Sequence, residues 1–335
     1  MDISPDTTFT AYRVDLTDDG VTRGVTEVGL DVLPDYPVTV EVHYSSLNYK
    51  DALSASGNKG VSKNYPHTPG IDAAGVVVDS SVPDVAVGTE VIVTSYDLGM
   101  NTPGGFGRLI RVPSEWVVPK PDGLSLREAM ILGTAGFTAA MSLDALFVQG
   151  LMPNTGPVVV TGASGGVGSL AVAMLAKLGF EVVAGTGSPS AKTLLSELGA
   201  SRFVSREELS EASKKPMLKP EWAGAVDTVG GATLEHLIKT VQPRGSVAAC
   251  GLVGGTDLSL TVFPFILRGV NLLGIDSATC PLEKRQTLWK QLAGPWKPDG
   301  LDKLATDIGL DELDDAVEKI LAGETTGRVV VSLRD

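Results

Sequence analysis

The chain has 335 residues, 43% of them hydrophobic, and sets 27 Lys and Arg against 40 Asp and Glu, for a formal net charge of −13. That length is more than one ordinary core organises and suits two domains of unequal size, while the acidic balance excludes the basic surface that a nucleic acid or an anionic membrane needs. The 2 cysteines exclude a disulfide framework and a four-cysteine zinc lobe.

No N-terminal run joins basic residues to an apolar core, and no stretch is read as approaching the ~20 apolar residues of a membrane span, so a cytoplasmic location is expected. His43, His67 and His236 lie away from Cys250 and Cys280 in sequence, so no metal site is expected and redox chemistry falls to an organic cofactor.

Residues 1–125 read as mainly β. Short segments such as Thr39–His43, Ala74–Val78 and Glu90–Thr94 are separated by Pro, Gly and Asp clusters, as in a compact, partly open barrel. Within it SSLNYKDAL sets Asn48, Tyr49, Lys50 and Asp51 in a row just after a strand. Such a run either exposes functional groups on a loop or, for Asn48 and Asp51, caps the helix that Ala52 and Leu53 begin.

From Ser125 the texture changes. Ser125 with Glu128 three residues on forms a capping box, leading into an apolar helix pair with Gly133 and Gly136 between. Next come a buried strand, Val158–Thr161, a turn of Ala163, Ser164, Gly165, Gly166, Val167 and Gly168, and a helix from Ser169 to Leu178. A phosphate on a helix N-terminus is held by free N–H groups and the positive end of the helix dipole, which requires small residues in the turn. With a second strand, Glu181–Ala184, at the spacing of a βαβ unit, this reads as a dinucleotide site, although Ala163 stands where the fingerprint has its first glycine.

The end of that second strand selects the cofactor. An NAD site places a carboxylate there for the ribose hydroxyls, whereas Gly185–Lys192 reads GTGSPSAK and has none. Thr186, Gly187, Ser188 and Ser190, with Lys192 and Arg206, suit a 2′-phosphate, so NADP(H) is the expected cofactor. Further strands, Val226–Val229 and Ser246–Gly251, flank a helix, Thr233–Val241, and Gly251 and Leu252 end in a loop expected beside the cofactor. A short helix precedes the apolar strand Asn271–Ile275; if it is the sheet edge, it invites pairing with a second copy, and a homodimer is expected. A helix, Leu282–Leu292, and an amphipathic tail helix lead to a last strand whose Val329 and Val331 would fit back into the N-terminal barrel.

With SSLNYKDAL, PGIDAAG, GTAGFTA, VTGASGGVG, AGAVDTVGG, AACGLVGG, PFILRGVNLLGID and GRVVV in one order along nearly the whole chain, the sequence resembles the zinc-free medium-chain dehydrogenase/reductase superfamily. Within it, the likeness is to the NADPH-dependent acryloyl-CoA reductases, often labelled quinone oxidoreductases. The Ala163 turn is typical of that branch, and PGIDAAG places Asp72 where zinc-dependent relatives carry histidine and glutamate. Relatives often have a basic residue where this chain has Ser188 and Pro189, which shifts weight to Arg206 and Lys192.

The resemblance implies an α/β fold: a Rossmann doubly wound parallel sheet over 126–300, plus a GroES-like β-barrel domain of 1–125 completed by 301–335. It implies hydride transfer from NADPH to the β-carbon of an enoyl thioester, with Asn48 and Tyr49 as catalytic candidates and Tyr49 also against the cofactor. It adds Leu258, Ile275, Ser277 and Arg328 to the cofactor contacts. Small-molecule substrates of either kind, enoyl-CoA or quinone, share that cofactor site. Lys50, Lys59 and Lys63 are either a basic rim for CoA phosphates or solvated charges, and a non-enzymatic NADPH sensor is the reading from another class.

Overall fold

The computed structural model describes residues 3–18 and 20–334. In chain order the strands are β1 (Thr8–Thr17), β2 (Gly20–Gly29), β3 (Val38–Leu47), β4 (Asp72–Ser80), β5 (Glu90–Thr94), β6 (Leu109–Val112), β7 (Val117–Pro119), β8 (Val158–Val160), β9 (Val182–Gly185), β10 (Arg202–Val204), β11 (Trp222–Asp227), β12 (Val241–Ala249), β13 (Asn271–Gly274), β14 (Ala305–Ile308) and β15 (Arg328–Ser332). The helices are α1 (Tyr49–Ala55), α2 (Leu126–Val148), α3 (Gly166–Lys177), α4 (Lys192–Glu197), α5 (Arg206–Leu209), α6 (Gly231–Thr240), α7 (Phe263–Arg268), α8 (Leu282–Ala293) and α9 (Leu313–Leu321).

Two compact units result: Met1–Thr134 with Ala278–Ala293 and Leu301–Asp335, and Ala135–Ser277 with Gly294–Gly300. The first unit takes in residues 126–134 and 278–293, which the sequence reading assigns to the cofactor domain. Its claim on α8 has a physical basis. Arg285 of that helix is fully buried, and a buried guanidinium needs acceptors. It finds them in the Thr94 carbonyl at 3.1 Å, the Thr94 hydroxyl at 2.8 Å and the Tyr96 hydroxyl at 3.2 Å, all in the first unit.

In the first unit β1 and β2 form an antiparallel hairpin, and the main sheet runs β14-β15-β3-β4-β5-β7 with β6 also on β3. The final strand inserts between β14 and β3, as its valines imply, with Val331 in the core beside Val40 and Val42, and Val329 packed against it. Val330 is fully buried as well, so this strand is covered on both faces rather than alternating. On α9, buried Leu313 and Val317 lie four residues apart on one face, with Asp314 and Asp315 in the first turn and Lys319 in the last, where each charge opposes the helix dipole.

The second unit carries a six-stranded parallel sheet in the order β10-β9-β8-β11-β12-β13, the doubly wound arrangement. Its inner strands, VVV in β8, VVAG in β9 and WAGAVD in β11, are buried along their whole length, as strands covered by helices on both faces must be. The third of these ends at Asp227 rather than Val229, because the Asp227 carboxylate accepts the N–H groups of Val229 and Gly230 and turns the chain there. The edge position of β13 agrees with the sequence expectation.

The capping box at Ser125 forms as expected: Ser125 N–H donates to Glu128 Oε2 at 2.9 Å, and Glu128 N–H donates to Ser125 Oγ at 3.1 Å. The run that follows is two helical stretches joined across a kink at Gly133 (φ 51°, ψ −155°), the pair expected from the sequence, and Gly136 lies inside the second stretch. This α2 corrects the reading that no stretch nears the length of a membrane span, since its 23 residues are long and apolar enough by composition. With 67% of its apolar window buried inside the protein, it serves as a core helix.

Candidate active site

Two clusters of functional side chains stand out, one in each unit. In the second unit Gly162 leaves β8 with φ 56°, Gly165 N–H donates to the Gly162 carbonyl at 3.0 Å, and α3 begins at Gly166, three residues before the expected Ser169. A Cβ on Gly168 would collide with the Gly162 carbonyl oxygen, so the helix can enter this close to the turn only with glycine there. Ala163 is fully buried and donates its N–H to the Gly185 carbonyl at 3.0 Å, tying the turn to the end of β9. The first turn of α3 thus presents the N–H groups of Gly166 and Val167 without intrahelical acceptors, at the positive end of a 12-residue helix.

Past β9, buried Thr186 accepts Ser188 N–H at 3.1 Å and reaches the Ser164 hydroxyl at 3.4 Å, and the Ser188 and Ser190 hydroxyls pair at 3.0 Å. The exposed Arg206 guanidinium lies over Gly187, where a Cβ would sit 3.2 Å from its Nε and Nη2. The fold therefore brings Thr186, Gly187, Ser188 and Arg206 together. Lys192 differs, with its ammonium 5.7 Å from the centroid of the Phe203 ring.

Because these strands are parallel, the residues after β8, β9, β12 and β13 share one edge of the sheet. Ser164 to Val167, Thr186 to Ser188, Gly251, Leu252 and Ile275 all lie there. Ile275 donates its N–H to the Ala249 carbonyl at 3.0 Å, and Ser277 accepts the Thr138 hydroxyl at 2.7 Å. Leu252 and Leu258 are exposed, in a stretch outside regular elements.

Sequence reasoning missed Asp227. It is fully buried, takes Thr161 Oγ1 at 2.7 Å and Gly230 N–H at 2.8 Å, and burial pushes its carboxyl above the ordinary range. Its mark in the sequence is an acid closing an apolar strand ahead of two glycines. Beside it Cys250 Sγ donates to the Asp227 carbonyl at 3.3 Å, and burial pushes that thiol up to about 12.

The first unit holds the second cluster around Asp72, at the start of β4 and fully buried. Its carboxylate accepts Ser46 Oγ at 2.6 Å, Asn48 Nδ2 at 2.8 Å, Thr134 N–H at 3.0 Å and Thr134 Oγ1 at 2.6 Å. Arg328, whose Nη2 is 3.9 Å from Asp72 Oδ2, is buried and donates to the Ile131 carbonyl at 2.9 Å, Ser46 Oγ at 2.9 Å and Asn48 Oδ1 at 3.2 Å. Burial lowers its guanidinium from the usual arginine range. Gly133 closes the cluster, since a Cβ there would lie 2.5 Å from Asp72 Oδ2 and 2.7 Å from Ser46 Oγ.

Asn48 occupies the N-cap position of α1, and its amide is engaged on both sides, by Asp72 and Arg328. Tyr49 is the first residue of the helix and 44% exposed. Asp51, two residues on, is fully buried: Oδ2 accepts Asn48 N–H at 2.8 Å and Oδ1 accepts Ile71 N–H at 2.8 Å. The sequence marks Asp51 and Asp72 as polar, but their meeting across 20 residues of chain leaves no local signal.

Residues 166–293 match the family described as zinc-binding dehydrogenase, and residues 34–122 match the alcohol dehydrogenase GroES-like domain. A zinc ion does not fit the residues present. Among the described residues no group of three or more His, Cys, Asp or Glu is placed to hold a metal, and the Asp72 and Asp51 oxygens already accept N–H and O–H donors.

The chain is 46% identical over 328 residues to YhfP of Bacillus subtilis, a protein named as a quinone oxidoreductase, covering 98% of this chain and 99% of the relative. YhfP has been solved with NAD bound, and the two folds superpose with a TM-score of 0.95. Acrylyl-CoA reductase AcuI of Ruegeria pomeroyi is 45% identical, covering 97% of this chain and 99% of its own. The yhdH oxidoreductase of Salmonella enterica, solved with NADP, is 43% identical with a TM-score of 0.94, covering 97% of this chain and 100% of its own. With a doubly wound sheet, a GroES-like domain and identities of this size over nearly its whole length, the chain belongs to the medium-chain dehydrogenase/reductase family of oxidoreductases.

Proposed function

We propose that this protein uses NADPH to reduce the C=C bond of 2-enoyl thioesters, with acryloyl-CoA, converted to propanoyl-CoA, as the favoured substrate. The observation that carries the substrate class is the 45% identity to AcuI over nearly the whole chain. For the cofactor, support comes from the carboxylate-free turn after β9 and from the Arg206 guanidinium over Gly187. A 2′-phosphate there meets a bidentate cation and hydroxyl donors, whereas the paired ribose hydroxyls of NAD find no carboxylate to accept them.

Ser164, Gly165, Gly166 and Val167 would hold the pyrophosphate by their backbone at the head of α3. Thr186, Gly187, Ser188 and Arg206 would take the adenosine 2′-phosphate, with Lys192 nearby in chain, and Gly251, Leu252, Leu258, Ile275 and Ser277 would line the cofactor. Bound NADPH supplies a hydride to the β-carbon. The thioester oxygen must be polarised and the α-carbon must gain a proton, giving the saturated thioester and NADP⁺. Tyr49 carries an exposed hydroxyl donor suited to that oxygen. The Asp72 cluster, with Asn48 and Arg328, acts one layer behind, because its hydrogen bonds are used within the fold.

A second reading, a quinone or enone reductase of low specificity, is favoured by the likeness to YhfP. The two separate in an NADPH oxidation screen across acryloyl-CoA, crotonyl-CoA and quinones. Turnover of quinones with none of either thioester would overturn the first reading. In the same proposal the protein is a cytoplasmic homodimer joined along β13, an edge strand whose Leu272 is exposed, as are the apolar Ile266 and Leu267 of α7 just before it in the chain.

A further inference from the structure

Two fully buried aspartates in the first unit share one cation, Arg328, yet their donors differ in kind. Asp72 is held partly by hydroxyls, those of Ser46 and Thr134. Asp51 is held by N–H groups: Ile71 N–H on Oδ1 at 2.8 Å, and on Oδ2 Asn48 N–H at 2.8 Å with Asn48 Nδ2 at 3.2 Å. Those donors belong to two separate pieces of chain. Asn48 stands immediately before α1 and Ile71 immediately before β4. Tyr49 lies between Asn48 and Asp51, so both ends of the short segment that bears its ring are fastened by one carboxylate.

We propose that Asp51 is a positioning residue for Tyr49: its ionised carboxylate pins the entry of α1 to the entry of β4 and so fixes the direction in which the Tyr49 ring leaves the surface. The inference rests on the reading above that Tyr49 meets the substrate. A carboxylate is acceptor-only, with room for all three N–H groups, whereas a neutral carboxyl turns an O–H toward one of them and breaks the pin. The charged groups facing Asp51 are Asp72 on β4 and Arg328 on β15. Burial, and then the Asp72 charge, push its carboxyl up to about 7, against the N–H bonds that pull it down. The pin is therefore complete above neutrality and loosens as the pH falls below it.

The test is steady-state kinetics between about pH 5.5 and 9 on the wild type, Asp51→Asn, Tyr49→Ala and the double variant, with NADPH and whichever acceptor the screen shows to be turned over. Wild-type kcat/KM for the acceptor is expected to rise with pH through an apparent pKa of about 7. In Asp51→Asn the rising limb disappears and kcat/KM at high pH drops by about tenfold, with the KM for NADPH unchanged. The double variant should be no worse than Tyr49→Ala alone.

Retention of the limb in Asp51→Asn, or additive losses in the double variant, overturns the proposal. A role in stability alone would raise the KM for NADPH and lower the melting temperature without removing the limb, and that result overturns it too. If Asp51→Asn fails to fold, carboxyl ¹³C NMR of the wild type decides. The Asn48 and Ile71 amide shifts should follow the Asp51 titration, and amides indifferent to it, or an Asp51 that does not titrate in this range, refute the pin. Failure of the thioester reading shows separately, as wild-type turnover of quinones alone, and leaves the Asp51 experiment intact on that acceptor. A Tyr49→Ala variant with wild-type rates removes the reading of Tyr49 and this proposal together.

Discussion

In the proposed function, Arg206 is the residue on which cofactor choice turns. A charge-assisted pairing of its guanidinium with a 2′-phosphate is worth ~1.5 to 3 kcal/mol, so Arg206→Ala should cut the preference for NADPH over NADH by roughly tenfold or more, read as the ratio of kcat/KM values. Equal preference in wild type and variant would show that the phosphate is held elsewhere. The same scale governs Tyr49. If its hydroxyl polarises the thioester, Tyr49→Phe and Tyr49→Ala both lose turnover by ~1 to 3 kcal/mol while the Phe variant keeps its NADPH affinity. If the ring only packs, Phe matches wild type and Ala weakens NADPH binding. The types of these residues were readable from their surroundings in sequence, an acid-free turn and a polar run after a strand. Which side chains they meet was not. That Arg206 reaches Gly187 while Lys192 sits on Phe203 depends on how β9 and β10 pair, and no local pattern encodes it.

At the scale of the element, α2 shows what a sequence reveals and conceals. Its start is legible, because Ser125 and Glu128 satisfy each other's backbone N–H groups wherever they occur at that spacing. Ser125→Ala should therefore cost ~1 kcal/mol of unfolding free energy by denaturant titration, with activity retained. Its break is legible only as a glycine. Nothing near Gly133 in the chain announces that Asp72, Ser46 and Arg328 crowd the space where a side chain would go. Gly133→Ala should be far more damaging than an ordinary helix substitution, since a backbone at φ 51° resists a Cβ and the new methyl meets a buried, fully bonded carboxylate. A loss of more than about 3 kcal/mol, or failure to accumulate as soluble protein, is expected; a melting temperature within a degree or two of wild type would show that the cluster yields. The doubly wound sheet was readable for the opposite reason: runs such as VVV are buried on both faces whatever their partners, so composition alone identifies them.

For the whole molecule, the buried charge in the first unit makes stability depend on pH with a definite sign. The Asp51 carboxyl is raised from 3.8 to about 7 on folding, so the folded state holds the proton more tightly than the unfolded chain. Its contribution is full below the unfolded value and is lost as the pH rises through about 7, amounting to about 4 kcal/mol at most. Melting temperature should fall from pH 5 to pH 8 more steeply in the wild type than in Asp51→Asn; parallel slopes would mean the group is not protonated in the fold. Association is the other property of the whole. Leu272→Lys puts a charge on an exposed edge strand and should convert the proposed dimer to a monomer by light scattering without loss of NADPH binding. A wild type that is already monomeric ends that proposal. The pattern of an apolar strand pointed to this edge, whereas the place of α8 in the first unit was not legible, because the bonds of buried Arg285 to Thr94 and Tyr96 join positions about 190 residues apart.

The insertion of β15 between β14 and β3 also sets an order in time. Arg328 and Asn48 are in hydrogen-bond contact yet 280 residues apart, so the arginine that answers Asp72 is made long after Asn48 and Asp72 themselves. Most of the second unit, Ala135–Ser277, emerges earlier and has its sheet complete within that span. The nascent first unit meanwhile waits with the β15-facing edge of β3 unpaired and a carboxylate pair without its counter-ion. During synthesis, then, the parallel sheet of the second unit has all its strands before β15 can close the sheet of the first. A chain cut before Gly327, and so without β15, should bind a nucleotide resin yet remain open to protease at β3.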